Sequence, residues 1–150
     1  MIKYFLLIAL VVSFSSCSKR KAKKQAKEDE EIIQKYISDN KLSATATGSG
    51  LYYVMSTPGT GVNPSISSNV TVVYSGYFTD GSTFDQSTSA GISFDLSSVI
   101  KGWQEGIPYF KKGGKGILII PSVLGYGTSG TSGIPPNSVL IFNIQLLDVK

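Results

Sequence analysis

The stretch VIKGWQEGIPYFKKGGKGILIIP, Val99 to Pro121, places the only tryptophan of the chain, Trp103, between Gly102 and Gly106. A large indole among glycines is either ordinary core or the wall of a site. Composition limits what such a site could do. The 150 residues include no histidine and one cysteine, Cys17. A zinc site of the usual Cys/His kind is thereby excluded, as is a nucleophile activated by a histidine base, so many hydrolase readings fall away. No intrachain disulfide can form, and no metal or cofactor is expected.

Any such site must be positioned by elements that the pattern makes legible. Apolar residues make up 41% of the chain, with 16 Gly, 8 Tyr and 7 Phe, a mixture that suits a β-rich domain with tight turns. Leu51 to Ser56 reads as a strand. Val70 to Phe78 is another, with Val70, Val72 and Tyr74 on one face. Asp80-Gly81 signals a turn, and STFDQS after it is read as the start of a loop. Ile92, Phe94 and Leu96 alternate with Ser93 and Asp95, as in a half-buried strand. Ser97 and Ser98 are placed to cap a short helix carrying Val99, Ile100, Trp103 and Ile107, limited by Pro108. KKGGKG is a turn and GILIIP a buried strand; a long loop, SVLGYGTSGTSGIPPNS, follows. In the last strand Leu140, Phe142, Ile144 and Leu146 point one way and Asn143 and Gln145 the other. About five strands and one short helix predict an antiparallel α+β domain over 48–150.

Charge divides the chain. From Gly48 onward five lysines balance five acids, so the whole net charge of +4 lies in residues 1–47. A neutral domain behind a basic leader argues against nucleic-acid binding. The leader MIKYFLLIALVVSFSSC has a charged start, a short apolar run and a small-residue zone ending at Cys17, the layout of a signal peptide over 1–17. Its apolar run is too short for an ordinary transmembrane helix. Phe14-Ser15-Ser16-Cys17 resembles a lipobox, with Phe14 where Leu is usual, which implies lipidation of Cys17 and a membrane-anchored protein of the cell envelope. The basic residues after it favour the periplasmic side of the outer membrane. Residues 18–47 then form a basic tether, SKRKAKKQAK, and a short amphipathic helix from about Glu30 to Asn40, with SATATGSG as a linker. Ile32, Ile33, Tyr36, Ile37 and Leu42 form the helix's apolar stripe, which is expected to pack on the domain.

Four segments, VVYSGYFTDGSTFDQS, VIKGWQEG, PSVLGYGTSG and IPPNSVLIFNIQLLDV, resemble in content and order the FKBP-type peptidyl-prolyl isomerases, over roughly Leu51 to Lys150. The leader and helix resemble those of lipoprotein members from Bacteroidetes-like bacteria. The resemblance implies a twisted antiparallel sheet of five to six strands wrapped around a short helix, here preceded by an N-terminal helix. It also implies a pocket that binds proline-containing segments of exported polypeptides and macrolides such as rapamycin. Carried onto this chain, the catalytic positions are Tyr74, Phe84, Asp85, Trp103, Tyr126 and Phe142, and the substrate-binding positions are Ile92, Val99, Ile100 and Ile134. Trp103 is then the pocket floor, the Ile100 backbone N–H meets a ligand carbonyl, and the Tyr126 hydroxyl bonds the substrate backbone. Ile92 stands where many members carry an aromatic, and Thr131 or Ser132 near a position often held by histidine.

Taken one at a time, these residues have plainer readings. Phe142 and Val99 could be core, Tyr74 and Tyr126 amphipathic surface residues, and Asp85 a turn or capping residue. Their joint placement with Trp103 favours the isomerase. The alternative is a module that binds proline segments without turnover, as a chaperone or assembly partner of the envelope. A third reading is a purely structural lipoprotein. Because all the pocket candidates follow the linker, residues 1–47 are expected to be dispensable for activity.

Overall fold

The computed structural model describes the backbone of residues 2–150 and the side chains of residues 18–150. Helix α1 (Ile2–Asp39) leads into seven strands: β1 (Thr45–Ala46), β2 (Tyr52–Thr57), β3 (Asn69–Tyr77), β4 (Thr83–Gln86), β5 (Ile92–Asp95), β6 (Lys115–Ile120) and β7 (Leu140–Val149). Helix α2 (Lys101–Gly106) lies between β5 and β6. All pairings are antiparallel, in the order β1-β2-β6-β7-β3-β4, and β5 pairs with β3 beside β4. This is the expected α+β architecture.

The sheet has two covered faces. On the inner face Val70, Val72, Leu118, Ile120, Leu140, Phe142, Ile144 and Leu146 pack with Trp103, Ile107 and Phe110 in one core. Helix α2 lies against β6 because two glycines let it. A Cβ on Gly102 would collide with Ile120, and one on Gly106 would stand 2.6 Å from Leu118 Cδ2. The glycines around Trp103 thus serve helix-to-strand packing.

The outer face carries α1. Ile33 is fully buried in a small cluster with Ile119, Val139 and Ile141, and Tyr36, Ile37 and Leu42 pack around it. Polar contacts surround this cluster. Tyr52 Oη donates to Glu30 Oε1 (2.7 Å), and Gln34 Nε2 donates to Tyr52 Oη (2.9 Å). β7 is therefore covered on both sides at Ile141, where alternation alone marked only one face as buried. Ile32, read as part of the stripe, is exposed.

Four local expectations change. The helix read from about Glu30 is continuous from Ile2, since Lys, Ala, Gln and Glu dominate 19–31 and all favour helix. Lys24–Glu28 (3.4 Å) and Lys27–Glu31 (3.7 Å) pair across one turn there. The linker is tied down: Thr45–Ala46 pairs with β2, and the hydroxyls of Thr47 (2.6 Å) and Ser49 (2.7 Å) donate to Glu105 of α2. Thr83–Gln86 is a strand, because Asp80 Oδ1 accepts from the Ser82 N–H (2.9 Å) and Gly81 takes φ +87°, closing a hairpin onto β3. Ser97 and Ser98 cap nothing. They belong to a 3-10 turn (Leu96–Ser98), and Val99 and Ile100 are extended before α2 begins at Lys101. The α2 helix is short enough that the Ile100 carbonyl, accepting from Trp103 (3.0 Å) and Gln104 (3.1 Å), does much of the capping.

Cys17 and the lipobox side chains lie outside the described side chains. Among the described residues no helix is long and apolar enough to cross a membrane.

Candidate functional site

Between α2 and the inner face lies a cavity of about 490 Å³. All ten pocket positions carried from the resemblance line it. They come from six separate places: Tyr74 from β3, Phe84 and Asp85 from β4, Ile92 from β5, Val99 to Trp103 at the α2 entry, Tyr126 and Ile134 from the loop after β6, and Phe142 from β7.

Trp103 is 4% exposed and forms the floor. Its ring meets Tyr74 edge-on (centroids 5.1 Å, 88°) and Phe142 likewise (5.1 Å, 84°), with Phe94 tilted against it at 5.2 Å. Phe142 in turn meets Phe84 edge-on at 5.5 Å. Edge-to-face contacts suit the ring quadrupoles and hold the walls at fixed angles. The Trp103 Nε1–H is buried with no hydrogen-bond partner among the described residues. Leaving such a donor unpaired costs about 1–3 kcal/mol.

Two backbone features aim the polar groups. The β3–β4 register shifts between Gly76 and Tyr77, so Phe84 is an extra residue between the paired Thr83 and Asp85. A bulge of this kind allows consecutive residues to face the same side, and both Phe84 and Asp85 reach the cavity. Opposite them is Gly76, where a Cβ would stand 2.7 Å from Phe84 and 2.8 Å from Phe142. Only glycine lets those two rings close over β3. The Tyr74 hydroxyl donates to Asp85 Oδ2 at 2.7 Å. Burial first, and then this hydrogen bond to a carboxylate, push the Tyr74 phenol up to about 12. The phenol stays neutral and holds Asp85 in place.

The Ile100 N–H, at the mouth of α2, donates to no group among the described residues, while the Ile100 carbonyl is occupied by the helix. Tyr126 (39% exposed) and Ile92 (49% exposed) stand at the rim. Thr131 and Ser132, one or other of which the resemblance sets near a position often held by histidine, line the same rim. Two lining residues were missed, Phe94 and Ser98. The alternation of Ile92, Phe94 and Leu96 carried the signal for Phe94: it shares a strand face with Ile92, already assigned to the pocket. Ser98 gave no signal, because it was assigned to a cap.

The fold and cleft define a class: an antiparallel sheet folded over one short helix, with an aromatic cavity between them. The family profile of FKBP-type peptidyl-prolyl cis-trans isomerases matches residues 61–147, and the chain belongs to that family. Among its relatives, the FKBP-type peptidyl-prolyl cis-trans isomerase FkpA of Escherichia coli K12 is 41% identical over 150 residues, covering 96% of this chain and 55% of the relative. A probable FKBP-type isomerase of Haemophilus influenzae is 39% identical, covering 95% of this chain and 60% of its own length. The chain thus spans little more than half of these relatives. The crystal structure of E. coli FkpA superposes with a TM-score of 0.75 at 39% identity, over 96% of this chain and 70% of that one. A Pseudomonas syringae isomerase structure gives 0.76 at 33% identity, over 85% of this chain and 95% of that one.

Proposed function

We propose that the chain is a peptidyl-prolyl cis-trans isomerase that takes an X-Pro segment into the Trp103 cavity. The observation that carries this reading is the enclosure of an apolar, aromatic floor by Tyr74, Phe142 and Trp103 at fixed mutual angles, beside free polar groups at its edge. Rotation about the X-Pro bond faces a barrier of about 18–20 kcal/mol. The planar amide is more polar than the twisted one, so water favours the ground state. A water-poor aromatic pocket removes that advantage, while the unpartnered Ile100 N–H holds a flanking carbonyl. Tyr126 at the rim grips the peptide backbone, and Asp85 orients the Tyr74 phenol against the ring. No bond is made or broken. Lowering the barrier by ~4 kcal/mol gives about a thousandfold acceleration. A protease-coupled assay on an X-Pro peptide tests the reading: acceleration blocked by rapamycin is expected, and saturable rapamycin binding without acceleration leaves only a binding module.

The sequence supports a location as well. The lipobox-like ending at Cys17 makes the protein a lipid-anchored member of the cell envelope, acting on exported polypeptides from the periplasmic side of the outer membrane. Globomycin is expected to leave a precursor, and Cys17→Ala to release the protein from membranes. Unchanged processing and retention in Cys17→Ala would remove this assignment.

A further inference from the structure

Asp29 is the one carboxylate among the described residues buried to 1% exposure, on a helix whose other acids face solvent or the rim of the sheet. A carboxylate out of water needs donors. Its Oδ2 accepts from the Ser122 N–H (2.8 Å) and from the Ser122 hydroxyl (2.6 Å), and its Oδ1 accepts from Gln25 Nε2 (2.8 Å). Ser122 opens the loop after β6, and its own carbonyl accepts from Gly125 (3.0 Å) and Gly127 (2.8 Å), the residues on either side of Tyr126. Beyond them the Tyr126 carbonyl accepts from Gly130 (3.1 Å) and the Gly127 carbonyl from Asn137 (2.8 Å). One hydrogen-bonded chain therefore runs from the outer helix to the cavity rim. The loop has two apolar anchors, Leu124, partly buried on the core, and Ile134, while Val123, Tyr126 and 131–133 are exposed. Its shape then depends on the hydrogen bonds at its root.

We propose that Asp29 is a positioning residue for the site: through Ser122 it holds the loop that carries Tyr126 over the cavity. The segment read as dispensable then sets the efficiency of the pocket. The effect on turnover rests on the isomerase reading above; the effect on the loop does not.

The test uses the full chain. Asp29→Ala should leave far-UV circular dichroism unchanged, speed hydrogen–deuterium exchange at the amides of Gly125 and Gly127, and lower kcat/KM by about 2- to 30-fold, the span of indirect couplings. Asp29→Asn keeps an acceptor for Ser122 and should recover most of both. In a Tyr126→Phe background the Asp29→Ala loss should shrink, because the two changes act on one group. Should Asp29→Ala fold poorly, Ser122→Ala removes one of the two bonds and should show smaller shifts of the same sign. Unchanged exchange at Gly125 and Gly127 overturns the tie. An undiminished loss in the Tyr126→Phe background overturns its action through Tyr126. A wild-type chain that does not turn over peptides ends the isomerase reading, while the exchange data still decide the tie.

Discussion

The two faces of the sheet are built on different terms. The inner face is one continuous aromatic and aliphatic core, closed by α2 and open at one end as a cavity. The outer face is a patch of four buried residues, Ile33 among them, ringed by the Tyr52 and Tyr77 hydroxyls of the sheet, which bond across to Glu30, Gln34 and Tyr36 of α1. The inner face is organised by shape, and its glycines exist so that backbones and rings can approach. The outer face is organised by hydrogen bonds between long side chains, and its link toward the site runs through Ser122, at the root of the loop that carries Tyr126. An apolar site tolerates little change in volume, whereas a polar attachment tolerates change except where a buried group loses its partner.

The sharpest challenge to this contrast is Gly102→Val. Its side chain would enter the Ile120 side chain, so a loss of ~3 kcal/mol in urea unfolding is expected, the upper end for overpacking, together with loss of rapamycin binding. Full stability in this variant would mean that α2 is not clamped to β6. On the outer face Ile33→Ala should cost about 2 kcal/mol, the low end for a buried aliphatic truncation, with kcat/KM per folded molecule unchanged. If turnover falls in Ile33→Ala as far as in Asp29→Ala, helix packing in general, and not the Ser122 tie, governs the loop.

Trp103→Leu should cost ~1–3 kcal/mol in stability, because apolarity and part of the volume are kept. Ligand affinity and turnover should fall more clearly than the fold is disturbed. In the unmodified chain the sole tryptophan reports binding, so its emission should change and saturate as rapamycin is added. Emission that ignores ligand while isomerisation persists would place Trp103 outside the site.

The smallest effect is in alkali, and it appears on both faces. The folded state holds the Tyr74 proton up to about 12, above the ordinary 10.0, so between those values the unfolded chain gives up a proton that the folded chain keeps. The stability contributed by the neutral phenol is complete below pH 10 and is lost as pH climbs toward 12. Tyr77 on the outer face is raised as well, by burial first and then by its hydrogen bond with Tyr36. Tyr74→Phe and Tyr77→Phe should each flatten part of the decline in unfolding free energy above pH 10. An unchanged slope in both would mean that neither phenol is held as described.

Much of the sheet is legible in the sequence. The strands β2, β3, β5, β6 and β7 follow from alternation and β-branched runs, since a half-buried strand must repeat every two residues. Nine of the ten assigned cavity positions, all but Ile92, lie in the four ordered motifs that carry the family resemblance, and the sheet and α2 bring those motifs together around one cavity. Hidden from the pattern was β4, whose TFDQ is polar and short and becomes a strand only when β3 offers it a partner. The burial of Ile141 was hidden too, since it depends on a helix more than a hundred positions away.

The sequence alone excluded histidine-dependent catalysis, located the net charge in the first 47 residues and set the β-rich class, because residue types and their order do not depend on how the chain is folded. Tertiary structure alone decided that α1 covers the outer face, that a bulge turns Phe84 and Asp85 toward the same cavity, and that Asp29 meets Ser122. The helical period sets Asp29 four residues before Ile33, in line with the buried stripe, but no linear pattern names the donor it meets. The helix turns Asp29 toward a peptide N–H 93 residues away, and a buried carboxylate persists only where such donors wait for it.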